Sequence, residues 1–126
     1  MLESAHVLIV DDDPRMVSML ERWLVGAGYR VTGVTTTQAA LSALGSNVPD
    51  WVITDLMMPM GDGMDILAQT LSRQPRTKVI IMTAFGSEAT RQRAMAHGAH
   101  AFLSKPFSRQ SLLNVLDRDP SALAAP

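Results

Sequence analysis

The sequence predicts an α/β domain built on a five-stranded, doubly wound parallel sheet. Five short aliphatic or β-branched runs alternate with five longer helical patterns along the chain. The runs at 6–10, 51–55 and 78–83 are almost continuously apolar, as expected of strands covered on both faces. Four of the five runs lead into residues that can do chemistry at a sheet edge: aspartate, aspartate, threonine and lysine.

"HVLIV" (6–10) is the first strand, and Pro14 suits the first turn of the helix after it. Met16, Leu20, Trp23 and Leu24 recur there at helical spacing, and Gly26 or Gly28 in "GAGY" supplies a left-handed cap. "YRVTGV" (29–34) alternates and so reads as an edge strand. Thr35–Thr37 offer an N-cap to "QAALSAL", which ends at Gly45. "NVPD" turns the chain into "WVITD" (51–55), and the loop "LMMPMGDG" precedes a helix around Met64–Ser72. "KVIIMT" (78–83) is the fourth strand. "SEATRQRAMAHG" is a helix between a serine cap and a glycine stop. "AFLSKP" (101–106) is a short fifth strand, and "SRQSLLNVLDR" the last helix. Asp119-Pro120 breaks that helix, which divides the chain into a domain at 1–118 and a C-terminal tail or start of a linker at 119–126.

The totals exclude several classes of function. The 126 residues make one domain with room for a real core. Eleven basic against twelve acidic residues, a net charge of −1, give no electrostatic case for nucleic acid or an anionic membrane. The absence of cysteine removes disulfides, zinc–thiolate sites and thiol catalysis, and fits a cytoplasmic protein. No apolar run approaches the ~18–20 residues of a membrane span, and the N-terminus lacks a basic region followed by a long apolar one.

Ligands of a doubly wound sheet bind outside the carboxyl ends of its strands. The first strand places Asp11 and Asp12 there, with Asp13 next; the third gives Asp55, the fourth Thr83 and the fifth Lys105. The second gives nothing comparable, as expected of an outer strand in the order 2-1-3-4-5. That order makes strands one and three neighbours and brings Asp12 beside Asp55. Several carboxylates with no histidine or cysteine suit a hard dication, Mg²⁺ or Mn²⁺. An aspartate in such a site can attack phosphorus as a nucleophile, giving an aspartyl phosphate. Phosphoryl transfer needs mainly positioning and charge neutralisation, for which the cation, Lys105 and the Thr83 hydroxyl are suited.

These motifs resemble the receiver domain of two-component response regulators. "LIVDDDP" is similar to the acidic pair after that family's first strand, and "ITDLMMPMGDG" to its phosphoacceptor strand and loop. "VIIMTAFGS" and "GAHAFLSKPF" are similar to its threonine and lysine segments, so the likeness spans residues 5–118. The resemblance implies a flavodoxin-like (βα)5 fold with Asp55 as phosphoacceptor. It implies metal binding by Asp11, Asp12, Asp55 and the Met57 backbone carbonyl, with Asp12 the more direct of the acidic pair. Lys105, in a cis Lys105-Pro106 bond, would contact the phosphoryl group. Thr83 would hydrogen-bond it, and Phe102 would be the aromatic whose rotamer follows Thr83. Asp13 is a bystander or helix cap.

The resemblance further implies a signalling switch rather than an enzyme, charged by a sensor histidine kinase or phosphotransfer protein. It would act on an unknown downstream protein or output domain through the face of helix four, strand five and helix five, with homodimerisation on phosphorylation as one mode. Phenylalanine at 102, where the family also uses tyrosine, removes any phenolic hydrogen bond. Met57 and Phe85, both large and apolar, would shield the phosphoryl group and lengthen its life.

Other readings weigh less. A haloacid-dehalogenase-like phosphatase needs a second aspartate two residues after the nucleophile, where this chain has Met57. A phosphate-independent pseudo-receiver is the alternative, against which the intact acids, Thr83 and Lys105 argue. No glycine-rich nucleotide loop follows a strand. His97 and His100 are separated by Gly98, which ends the helix and removes a shared ligand face. Arg91 and Arg93 read as a solvated face, and the Met57, Met58, Met60 and Met64 cluster as packing.

Overall fold

Strands whose two faces are both apolar are buried only when helices cover both sides of the sheet. The computed structural model describes residues 5–58, 61–84 and 86–117, and has that arrangement. The elements run β1 (His6–Val10), α1 (Pro14–Gly26), β2 (Arg30–Val34), α2 (Thr37–Ser46), β3 (Trp51–Asp55), α3 (Gly63–Arg73), β4 (Lys78–Thr83), α4 (Glu88–Ala96), β5 (Ala101–Ser104) and α5 (Arg109–Asp117). The five strands are parallel in the spatial order β2-β1-β3-β4-β5, as the alternating pattern predicts.

Two apolar layers hold the sheet. On one face Val7, Ile9, Ile53, Ile80 and Met82 pack against Val17, Leu20 and Leu24 of α1 and Leu112 and Leu116 of α5. On the other, Leu8, Val10, Val52, Val79 and Ile81 meet Ala40 and Leu44 of α2, Ile66 and Leu67 of α3, and Ala94 of α4. The alternation of neighbouring strand residues between these layers is the period-two geometry of a strand. β1 and β3 are buried throughout, whereas β2 is half exposed and lies at the edge.

Local signals set the ends. Gly28 and Gly98 take positive φ values of 99° and 101° after α1 and α4, where a side chain would be strained. Asp13, Thr36 and Ser87 accept backbone N–H bonds as N-caps of α1, α2 and α4. The segment read as a loop after β3 departs from expectation. Met57–Met58 and Gly61–Asp62 pair there as a two-residue antiparallel ladder before α3 begins. β5 also stops at Ser104, short of the expected Pro106, and the Lys105-Pro106 peptide bond is cis. The proposed tail at 119–126 lies outside the described residues.

Candidate phosphoacceptor and metal site

Parallel register brings the chemistry to one edge. Val10 pairs with Thr54, Asp55 with Met82 and Thr83 with Ser104, so the residues following these pairs converge beyond the same end of the sheet. The Asp11 N–H continues the ladder by donating to the Val34 carbonyl at 3.2 Å, and the Lys105 N–H donates to the Thr83 carbonyl at 2.8 Å. Side chains far apart in sequence are thereby held on backbone that the sheet keeps rigid.

One carboxylate oxygen from each of Asp11, Asp12 and Asp55 lies within 4.8 Å of the others. Asp11 is 1% exposed and Asp55 7%, while Asp12 faces solvent. The Lys105 ammonium joins the two buried acids, donating to Asp11 Oδ2 at 2.7 Å and to Asp55 Oδ2 at 2.9 Å. Burial alone would lower its pKa. The hydrogen bonds and charges of Asp11 and Asp55 outweigh that and raise it above the ordinary lysine value. Lys105 therefore stays cationic at neutral pH.

The remaining oxygens are fixed as well. The Met57 N–H donates to Asp55 Oδ1 at 3.1 Å, and the Asp13 N–H to Asp11 Oδ1 at 2.9 Å. Three formal carboxylates against one ammonium leave the pocket negative, and its donors are hard oxygens. That donor set fits Mg²⁺ or Mn²⁺ rather than a softer metal. It also sets a carboxylate beside a fixed ammonium, the pairing that a nucleophilic aspartate needs if it is to meet an anionic phosphoryl group.

Thr83 is fully buried at the end of β4. Phe102, paired with Ile81 in β5, is half-buried against the α2–α3–α4 layer. Asp13 accepts from the Arg15 N–H at 2.9 Å and caps α1. Met57 is 59% exposed, and Phe85 lies outside the described residues. The two histidines of "HGAH" part company: the His97 ring contacts the Arg93 carbonyl, and His100 packs edge-on against Trp51.

Gly63 has a role that the residue pattern does not announce. A Cβ there would stand 2.5 Å from the Asp55 carbonyl oxygen and 2.9 Å from Leu56 Cα. Its own N–H donates to the Leu56 carbonyl at 2.9 Å, so α3 starts directly against the backbone of Asp55. The Asp-Gly pair in the loop after β3 was the signal available, and it reads as an ordinary turn.

Residues 7–117 match the response regulator receiver domain family. The chain belongs to that family. This receiver is 37% identical over 113 residues to the transcriptional regulatory protein GlrR of Escherichia coli, an alignment covering 90% of this chain and 26% of GlrR. The receiver thus spans about a quarter of the length of that relative. It superposes on the chemotaxis protein CheY4 of Vibrio cholerae with a TM-score of 0.85 at 31% identity, covering 91% of this chain and 98% of the other. A response regulator from Burkholderia pseudomallei, solved with a phosphorylated aspartic acid, a calcium ion and citrate, matches with a TM-score of 0.86 at 27% identity. That alignment covers 95% of this chain and 71% of the other. The fold is flavodoxin-like, and the function is that of a phosphorylatable receiver in two-component signalling; these relatives give the pseudo-receiver alternative no support.

Proposed function

We propose that Asp55 is the residue this receiver phosphorylates, taking the group from a phosphohistidine on a sensor kinase or phosphotransfer protein. The observation that carries this reading is the Lys105 ammonium, held between Asp11 and Asp55 by two short hydrogen bonds. An Asp55 oxygen attacks phosphorus, the P–N bond to the donor imidazole breaks, and the imidazole leaves with a proton. Lys105 then exchanges its contact with the Asp55 carboxylate for one with a phosphoryl oxygen, and the Thr83 hydroxyl takes another. Asp11, Asp12, Asp55 and the Met57 carbonyl would hold Mg²⁺ or Mn²⁺, whose charge would offset that of the phosphoryl oxygens. A phosphorylated aspartic acid in the Burkholderia pseudomallei neighbour, solved with a calcium ion, supports aspartate phosphorylation here.

Output follows from population shift. Moving Thr83 and Lys105 toward the phosphoryl group changes the balance of conformations in the segment after Thr83, in α4 and in β5, and Phe102 follows. The altered α4–β5–α5 face then binds a downstream protein, an output domain or a second copy of the chain. Direct contact with nucleic acid would fall to such an output domain.

The test is intact mass after incubation with acetyl phosphate or phosphoramidate and Mg²⁺. One phosphoryl adduct is expected, absent from Asp55→Asn and from the metal-free control. Its decay rate measures whether Met57 and Phe85 shield the group. A folded chain that takes no adduct would return the reading to a phosphate-independent module.

A further inference from the structure

We propose that Gly86 is a positioning residue for the switch aromatic. By carrying no side chain, it reserves the space that the Phe102 ring occupies, and so sets the balance between two ring positions. The proposal rests on the phosphoryl switch described above and adds to it the element that opposes the ring's movement.

Three contacts define the space. A Cβ on Gly86 would lie 2.9 Å from Phe102 Cε1, 3.0 Å from Phe102 Cζ and 3.0 Å from Ser104 Oγ. Carbon atoms in contact prefer about 3.5–4.0 Å, so even one methyl group does not fit. Phe102 and Ser104 are two apart in β5 and project from the same face of the strand. Gly86 lies three residues after Thr83 and directly before Ser87, the N-cap of α4. Ring and glycine therefore join β5 to the short connection between Thr83 and α4, the two parts that must move together.

The backbone does not explain this glycine. Gly28 and Gly98 sit at φ values of 99° and 101°, where glycine is favoured for conformational reasons. Gly86 is outside that region, so another residue could adopt its backbone. What excludes a side chain is the far end of the Phe102 ring. The clash falls on Cε1 and Cζ rather than on main-chain atoms, and rotation about the ring's own torsions relieves it. Alanine at 86 thus disfavours one ring position while leaving the fold intact.

The experiment uses fluorophenylalanine-labelled protein, with the Phe102 resonance identified by Phe102→Leu. Gly86→Ala is expected to shift the Phe102 signal without any ligand, while Phe107 is unmoved. Because we assign the displaced ring position to the phosphorylated arrangement, the half-saturating concentration of beryllofluoride with Mg²⁺ should fall about three- to tenfold. That gain should vanish in a Phe102→Ala background, since alanine has no ring to displace. An unmoved Phe102 signal, an unchanged beryllofluoride titration, or a gain that survives Phe102→Ala would each overturn the proposal. A wild-type chain that takes no beryllofluoride with Mg²⁺ would remove the phosphoryl-switch reading. A ring shift seen in that case would reduce Gly86 to packing alone, so the two failures are told apart.

Discussion

The Lys105 ammonium stands 2.9 Å from Asp55 Oδ2 although 50 positions separate the two residues, and it reaches Asp11 Oδ2 at 2.7 Å in the same geometry. It gives the two buried acids part of the positive charge that a dication would bring. Lys105→Met would leave two carboxylate side chains, 1% and 10% exposed, facing each other without their cation. Removing one partner of a fully buried pair costs about 3–5 kcal/mol; the partial exposure of Lys105 and Asp55 reduces that here to about 1–3 kcal/mol. Millimolar Mg²⁺, held by these carboxylates as proposed, should restore most of the loss. Urea unfolding with and without Mg²⁺ measures both effects. A variant as stable as wild type in the absence of Mg²⁺ would contradict the role given to Lys105.

Gly63 presses α3 against the backbone of Asp55, and the atoms that a Cβ would strike belong to the main chain of Asp55 and Leu56. Main chain in a sheet-bound segment cannot rotate aside as a ring can. Gly63→Ala is expected to destabilise the fold by about 1–3 kcal/mol through overpacking. It should also slow acetyl phosphate labelling at a temperature where the protein remains folded. Stability and labelling that both match wild type would show that the loop yields more freely than the contacts indicate.

His6 supplies a pH dependence at the opposite end of the sheet. The residue is 5% exposed, with Nε2 2.8 Å from Thr32 Oγ1. Burial, and then the charge of Arg30, lower its pKa below 6.5, against weaker opposing pulls from Asp50 and the Val48 backbone. Between the lowered folded value and the ordinary one, the unfolded chain binds the extra proton, so stability rises with pH. The contribution of a neutral His6 is complete above about pH 6.5 and is lost as pH falls below it, at no more than about 1.4 kcal/mol per pH unit. Urea midpoints from pH 5 to 8 should fall more steeply on acidification for wild type than for His6→Gln. Parallel curves would mean that His6 accepts its proton freely in the fold.

How much of this was legible in the sequence depended on how local the signal was. The continuous apolar run of β1 and the alternation of β2 announced an inner and an edge strand, because burial of one or both faces writes itself into consecutive residues. The acids, Thr83 and Lys105 were legible as a set because strand ends in a parallel sheet share one edge. The short ladder of Met57–Met58 with Gly61–Asp62 was not, since two paired residues leave no periodicity. Gly63 and Gly86 were not legible either. Both are glycines on account of atoms that another segment or element brings close; no positive φ marks them, and the Asp-Gly pair at Gly63 reads only as an ordinary turn.

The switch region should be the least protected part of the described structure. Among the described residues of α4, Ala94 alone is buried, whereas α1 buries Val17, Leu20 and Leu24. Little apolar surface therefore opposes its opening, and low local stability suits an element proposed to change arrangement. Its start depends on Ser87, whose Oγ accepts from the Thr90 N–H at 3.1 Å. Losing such a cap costs about 1 kcal/mol, so Ser87→Ala should raise hydrogen exchange in α4 about fivefold while β1, β3 and β4 keep their protection. Exchange in wild-type α4 should already run ahead of that in α1. Equal protection of α1 and α4 would place the mobile element elsewhere and require contacts holding α4 beyond Ala94 and its cap.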